Sequence, residues 1–422
     1  MTTLHITNAW HPRSGGIRTF YLALLEAANA RGHSMRLVVP AEKSRMEHAG
    51  RFGRIYHVEA PRAPFSPSYR ILYPHRALIP GGAVHRILTE ERPDVVEICD
   101  KFTMTYLGGL LRIGMAPGIR FRPTVVALSC ERLDRSIRTY ARDGWGSSGF
   151  AELYLRWLYF PLADHHIAVS RFVAEELKAV ADGHKVDRGV WLGPMGVDAN
   201  VFGAAVRTEE TRREVLALTG GDESTVVLVY SGRLAAEKNI PLLFGAMRRL
   251  GQQHGDQRFR LLLIGDGDAR YELTRAAERS LPGLVHFAGH CSTPATLARL
   301  LAACDFFVHP NPAEPYGIAP LEAMAAGVPL VAPDSGGVLS YAEADNAWLA
   351  KATPEAFAAA ITAACADPAE TQRRAAQARR DAMARDWPEA AARYLDLYAE
   401  LHARVTHRAG PGVLEPAFFS TR

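Results

Sequence analysis

The sequence predicts an α/β protein: two doubly wound parallel sheets that face each other across a cleft. Three observations point there. Short apolar runs alternate with amphipathic stretches along most of the 422 residues, the pattern of strands joined by crossover helices. The runs are almost continuously apolar, as parallel strands covered on both faces are. The series also restarts after Gly196-Val197-Asp198. Ligands of such sheets bind outside the carboxyl ends of the strands, so the cleft is the expected site.

In the first series, strands are expected at Leu4–Thr7, Met35–Val39, Asp94–Ile98, Thr124–Leu128, Ile167–Val169 and Val190–Leu192. Helices are expected over Thr19–Arg31 and over Arg171–Val180, the latter capped by Ser170, whose hydroxyl can accept from the first-turn amides. The adjacent His165 and His166 are read as preceding a strand. In the second series the strands are Val226–Tyr230, Arg260–Ile264, Val285–Ala288, Phe306–His309 and Leu330–Ala332. Helices near Ile240–Leu250, Arg270–Ser280, Thr293–Ala303 and Pro320–Ala326 separate them. Pro354–Leu401 is Ala-rich and helical, with a break near Trp387-Pro388. The expected organisation is residues 1–195 as an N-terminal, acceptor-side domain and 196–387 as a C-terminal, donor domain. A helix over about 388–405 packs back on the first, and 406–422 forms a tail.

Composition narrows the function classes. Hydrophobic residues make up 48% and charged residues 22%, enough apolar side chain to exclude a disordered chain. Lys plus Arg total 49 against 45 acids, a net charge of +4, too mild for a dedicated nucleic-acid binder. Five widely spaced cysteines contain no CxxC pair, which argues for a reducing compartment and against a disulfide framework or zinc knuckle. The N-terminus MTTLHITNAWHPRSGG lacks the basic and apolar regions of a secretory signal, and no apolar run approaches the length of a membrane span. The expectation is a cytoplasmic protein, at most peripheral to the inner face of a membrane. The 16 histidines show no HExxH spacing, so core or surface roles are preferred to metal ligation. The P-loop, the GxSxG elbow and GxGxxG are absent.

Three segments carry chemistry. Ser231–Asn239 follows a strand and opens a helix, with Arg233 and Lys238 flanking the turn. Two cations beside a helix start suit a diphosphate. Asn311–Met324 places Glu314 in a loop and Glu322 in the first turn of the next helix. Both carboxylates can accept hydroxyl hydrogen bonds from a sugar or ribose, while the amides of Tyr316, Gly317 and Ile318 can favour an anion. Gly15-Gly16 after the first strand lets backbone approach a ligand, and Gly265 stands in a similar strand-end turn. Each segment also has a structural reading as an ordinary strand–helix turn with solvated charges.

Taken together and in this order, the motifs resemble glycosyltransferase family 4, retaining enzymes of the GT-B fold with two Rossmann-like domains. The resemblance spans nearly the whole chain. Its specific part is Gly-Arg-Leu-x-x-Glu-Lys-Asn at 232–239, Ile-Gly-Asp-Gly at 264–267, Phe-x-Gly at 287–289 and the two glutamates of 314–322. Gly15-Gly16 and Pro93-Asp94-Val95-Val96 support it. The resemblance implies transfer of a hexose from a UDP- or GDP-sugar to a hydroxyl acceptor, a sugar or lipid-linked glycan precursor, with no metal and no cofactor beyond the donor. It implies that Arg233 and Lys238 grip the donor diphosphate, Glu322 binds the ribose and Glu314 the donor sugar. Tyr316, Gly317 and Ile318 would help through their amides, His290 and Cys291 would lie beside the base, and Gly16 would approach from the opposite domain. Two departures stand out. Cys130, followed by Glu131, occupies the place where the family has His, or Ser129 does if the alignment shifts by one residue. Met195 replaces a common Asn. A thiol is a poor partner for a sugar hydroxyl, so Cys130 raises the alternatives of altered donor choice or a non-catalytic or weakly active nucleotide-sugar-binding protein. A GT-B phosphorylase or epimerase is a further alternative.

The acceptor side is read from charge. Residues 112–160 carry eight Arg against four acids, a net +4 equal to the whole-chain excess. Arg132, Arg135 and Arg138, interleaved with aromatics, suit an anionic acceptor or a membrane surface. The structural reading is solvated Arg beside buried aromatic stems.

Overall fold

A computed structural model describes residues 1–10, 16–64, 66–134, 147–181, 189–255 and 257–407. In chain order its strands are β1 (Thr2–Thr7), β2 (Ser34–Ala41), β3 (Arg45–Ala49), β4 (Gly53–Glu59), β5 (Arg62–Ala63), β6 (Ser66–Arg70), β7 (Val95–Cys99) and β8 (Thr124–Ser129). There follow β9 (His165–Ala168), β10 (Val190–Leu192), β11 (Val226–Ser231), β12 (Phe259–Ile264), β13 (Val285–Gly289), β14 (Phe306–Val308), β15 (Leu330–Pro333) and β16 (Trp348–Ala350). The first sheet runs β10-β9-β8-β7-β1-β2-β4-β3 and the second β13-β12-β11-β14-β15-β16. The second sheet is parallel throughout. The first departs from the expected parallel pattern at one edge, where β3 pairs antiparallel with β4. β5 and β6 form a separate antiparallel ribbon.

The central strands are buried on both faces. From Thr3 to Thr7 every residue of β1 is inaccessible to solvent. Alternate residues therefore pack against helices on opposite sides, which is why these runs lack a polar face. In each sheet the chain winds outward on one side and then returns to the other. The direction reverses between β1 and β7 in the first and between β11 and β14 in the second. The loops that leave β1, β7, β11 and β14 thus flank the reversal points, where open α/β sheets bind ligands.

The strand expectations hold to within a residue or two, and Val190–Leu192 is reproduced as read. His165 and His166 are a correction. They lie inside β9, and both are buried. Pairing with β8 and β10 extends that strand toward its N-terminus. Residues 41–93 hold elements that the sequence reading passed over. β3, with the sequence RMEHA, is mostly exposed. It is a strand because β4 supplies its partner, not because its own pattern alternates.

The chain crosses between the two lobes twice, at 193–198 and at 384–387, and the crossings are paired. The Val197 amide donates to Arg385 O at 2.9 Å, and the Trp387 amide donates to Val197 O at 3.0 Å. The final helix, Trp387–His407, then lies on the first lobe against helix Gly16–Ala30. Phe20 packs on Tyr394 with ring centroids 4.8 Å apart. Glu97, fully buried on β7, accepts from Tyr21 Oη at 2.6 Å and from Tyr398 Oη.

Candidate active site

Two loops from the reversal point of the second sheet meet. β11 ends at Ser231, and the chain turns through Gly232-Arg233 into a short 3-10 turn, Ala236–Lys238. Asn239 takes a left-handed conformation, φ 55°, and donates from Nδ2 to Pro310 O at 3.0 Å. That bond ties the Lys238 turn to the loop leaving β14. Lys238 Nζ then reaches both oxygens of Glu314, at 3.0 Å and 2.8 Å. The sequence reading assigned these residues to separate segments, and the fold brings them together.

The Glu314 carboxylate is well supported. Asn311 Nδ2 donates to Oε2 at 3.0 Å, and His309 Nε2 lies 4.0 Å away. Burial on its own would raise this carboxyl, but the Lys238 ammonium, His309 and the two hydrogen bonds together bring it down to about 2. His309 is driven the other way, down to about 4, by burial above all. Arg233, nearly half exposed, pairs with Glu237 one turn on.

The segment after Glu314 is clamped by its carbonyls. Gly337 N donates to Glu314 O at 2.7 Å. Ser170 Oγ donates to Pro315 O at 2.5 Å, and Tyr341 Oη bonds the carbonyls of both Tyr316 and Gly317. Gly317 precedes helix Ile318–Ala325 at φ 88°, a conformation that favours glycine. Among the described residues, the backbone amides of Tyr316, Gly317 and Ile318 have no hydrogen-bond partner. Such a row of amides at a helix start can hold an anion.

Glu322 is a correction in position. The helix begins at Ile318, so Glu322 is its fifth residue and lies beyond the first turn. Its carboxylate has no hydrogen-bond partner among the described residues, and burial, then the nearby Asp198, pushes it up to about 7. Gly265 serves backbone approach: a Cβ there would stand 1.9 Å from Gly232 O. His290 is exposed and Cys291 half-buried just past β13.

From the first lobe, Gly16 opens helix Gly16–Ala30 opposite this loop. A Cβ at that position would lie 3.1 Å from Ile318 Cδ1. Gly15 lies outside the described residues. Cys130 follows β8, half-buried, with its Sγ 3.7 Å from Cys99 Sγ. Ser129 is buried and bonded to Tyr159 Oη at 3.0 Å, so Cys130 is the residue at the strand mouth. Arg132 forks onto Asp134, with both bonds at 3.0 Å, and stacks on Phe172. Arg135 and Arg138 lie outside the described residues. Lys101, Asn239, His309 and Tyr341 were missed. Lys101 is buried after β7 and donates to Glu131 O at 2.5 Å and Glu176 Oε2 at 3.2 Å, fixing the loop behind Cys130. The signal for Lys101 was its place after a strand at the reversal point; Tyr341, far along the chain, carried none.

Comparison with known proteins gives this geometry its context. Residues 14–201 match a family model described as Glycosyltransferase Family 4, and 213–381 one described as Glycosyl transferases group 1. The chain is 30% identical, over 94% of its length and 95% of the relative's, to a GDP-mannose-dependent alpha-(1-6)-phosphatidylinositol dimannoside mannosyltransferase of Mycobacterium tuberculosis. The chain belongs to glycosyltransferase family 4. Another relative of this family 4 chain, a GDP-mannose-dependent alpha-mannosyltransferase of Mycolicibacterium smegmatis, is 27% identical over 96% of this chain and 98% of its own. Among solved structures, a sucrose-phosphate synthase from Thermosynechococcus elongatus superposes with a TM-score of 0.75 at 19% identity, covering 96% of this chain and 100% of that one. HepE of Anabaena, in complex with UDP and glucose, gives 0.69 at 18%, over 95% and 99%. This family 4 protein is thus a nucleotide-sugar-dependent glycosyltransferase with the GT-B fold.

Proposed function

We propose that this enzyme is a retaining, metal-independent mannosyltransferase that moves mannose from GDP-mannose to a hydroxyl of a lipid-linked acceptor. The observation that carries the reading is the Lys238–Glu314 pair. It sets a cation fit for phosphate within 3.0 Å of a carboxylate fit for sugar hydroxyls, at the reversal point of the second sheet. The names of the mycobacterial relatives support the donor and the acceptor class.

Chemically, the leaving group is a nucleoside diphosphate, and charge grows on its phosphates as the glycosidic bond breaks. Lys238, Arg233 and the amides of Tyr316, Gly317 and Ile318 supply preset positive charge there. Glu314, ionised at any neutral pH, accepts from the sugar hydroxyls, and Glu322 accepts from the ribose. With one face of the sugar held against these groups, the acceptor hydroxyl attacks the anomeric carbon on the side the diphosphate leaves. The carbon–oxygen bond to phosphate breaks as the new one forms, the hydroxyl proton passes to the departing phosphate oxygen, and configuration is retained. His290 and Cys291 lie beside the base, and Gly16 closes the site from the first lobe. Cys130 contributes a weak hydrogen-bonding partner to the sugar, and the acceptor is assigned to the Arg132, Arg135 and Arg138 segment on its sequence charge alone.

Lys238→Ala is expected to lower transfer from GDP-mannose to phosphatidylinositol mannosides by at least about a hundredfold with the melting temperature changed by only a few degrees. NMR of the product reads the anomeric configuration, and the assay is repeated in EDTA. Wild-type turnover in Lys238→Ala defeats the site assignment, an inverted product defeats retention, and loss in EDTA defeats metal independence. A second reading, a nucleotide-sugar-binding protein without transfer, is favoured by Cys130 alone. Tight GDP-mannose binding with neither transfer nor hydrolysis selects it.

A further inference from the structure

Helix Arg171–Ala181 starts from the end of β9 in the first lobe, with Ser170 before it. The Ser170 hydroxyl does two things. It accepts from Val173 N at 3.1 Å, capping its own helix, and it donates its proton to Pro315 O in the other lobe at 2.5 Å. Ser170 is 3% exposed, so water does not compete for either bond. The same helix packs against the 3-10 turn Gly337–Ser340 that follows β15.

The carbonyl that Ser170 holds belongs to the same peptide unit as the Tyr316 amide. Among the described residues all peptide bonds are trans. In a planar trans unit the C=O and N–H point opposite ways, so fixing one fixes the other. Tyr341 does this for the next two units from within the second lobe, through Tyr316 O and Gly317 O. Among the described residues, only the first unit is set from across the cleft.

We propose that Ser170 is a positioning residue for transfer: it orients the Pro315–Tyr316 peptide, and with it the Tyr316 amide that faces the donor, from the opposite lobe. The inference rests on the donor-site reading above. Its consequence is that the donor loop takes its working shape only when the two lobes face each other, so alignment of the acceptor side and readiness of the donor side are one event. Ser170 touches no reacting atom and acts through the loop.

Three variants separate capping from positioning. Ser170→Thr keeps both the lone pair and the proton. Ser170→Asp keeps a capping oxygen but, ionised, has no proton for Pro315 O. Ser170→Ala loses both. Each is titrated with GDP-mannose and assayed for transfer beside Lys238→Ala, with melting temperatures recorded. We expect Ser170→Thr to stay within about threefold of wild type. Ser170→Asp and Ser170→Ala should lose about tenfold in kcat/KM for GDP-mannose, with the acceptor KM unmoved and with the loss unrelated to melting temperature. Wild-type donor kinetics in Ser170→Ala and Ser170→Asp, with Lys238→Ala impaired, overturn the positioning role and leave the donor site standing. Wild-type kinetics in all four overturn the donor-site reading itself. Loss that merely tracks melting temperature reduces Ser170 to a helix cap and overturns the proposal.

Discussion

Two glutamates of the site with seven residues between them, Glu314 and Glu322, are driven in opposite directions by their neighbours. Glu314 meets an ammonium and an amide and stays ionised; Glu322 has no hydrogen-bond partner among the described residues, and burial with the nearby Asp198 pushes it up to about 7. The second shift has a definite sign. Because the folded pKa of Glu322 lies above its unfolded value of 4.5, the folded state holds a proton that the unfolded state releases. Its contribution therefore falls as pH rises from about 4.5 to 7. Glu322→Gln should raise unfolding stability by roughly 2 kcal/mol at pH 8, discounted for partial solvent access, and change it little at pH 4. Urea melts at the two pH values measure this, and an equal effect at both would show that the carboxyl is not held proton-bound. The same variant should weaken donor binding, so the residue trades stability for recognition. Neither direction was legible in the sequence. Glu-x7-Glu placed both carboxylates in one cleft, but the difference between them comes from Lys238 and Asp198, which lie 76 and 124 positions away along the chain.

At the scale of elements, short apolar runs bounded by Gly and Pro were enough to locate the central strands, because a parallel strand buried on both faces leaves a run that reads the same in either direction. Edges were harder. β3 owes its conformation to β4, and β16 to β15, and neither debt is written in the local pattern. The last helix shows a third case. Its break near Trp387 was readable from Trp387-Pro388, but the buried carboxylate it docks on was not. Glu97 looks like a surface residue until Tyr21 and Tyr398 are brought to it. Tyr398→Phe removes one of two donors from a fully buried carboxylate, which should cost about 1–3 kcal/mol. Amide exchange should rise along Trp387–His407 while β11–β16 stay protected. A uniform rise across both lobes would mean that the bond does not act locally.

At the scale of the molecule, the stretch of sequence that carries the mild charge excess also carries exposed apolar side chains. Helix Ser147–Tyr154 runs on into the π-turn Leu155–Tyr159. It buries Ala151, Leu155 and Tyr159 and leaves Phe150, Leu153 and Trp157 each about three-fifths exposed. That stripe has helical spacing, and Tyr154 beside it bonds Lys101 O behind the Cys130 loop. No helix of the described residues is long and apolar enough to cross a membrane, but such a face suits shallow insertion. The acceptor reading makes this a prediction: the protein should sediment with vesicles containing phosphatidylinositol, and Phe150→Ala with Leu153→Ala should abolish this without altering GDP-mannose binding. Equal sedimentation of the variant would remove the stripe from the membrane. The paired crossings at 193–198 and 384–387 carry a consequence for biosynthesis. The second lobe is one uninterrupted stretch whose two ends meet, so it can fold as soon as it clears the ribosome. The first lobe cannot: the aromatic face of Gly16–Ala30 and the Glu97 carboxylate await Tyr394 and Tyr398. At about 5–20 residues per second that wait lasts on the order of tens of seconds, and the half translated first is the half finished last.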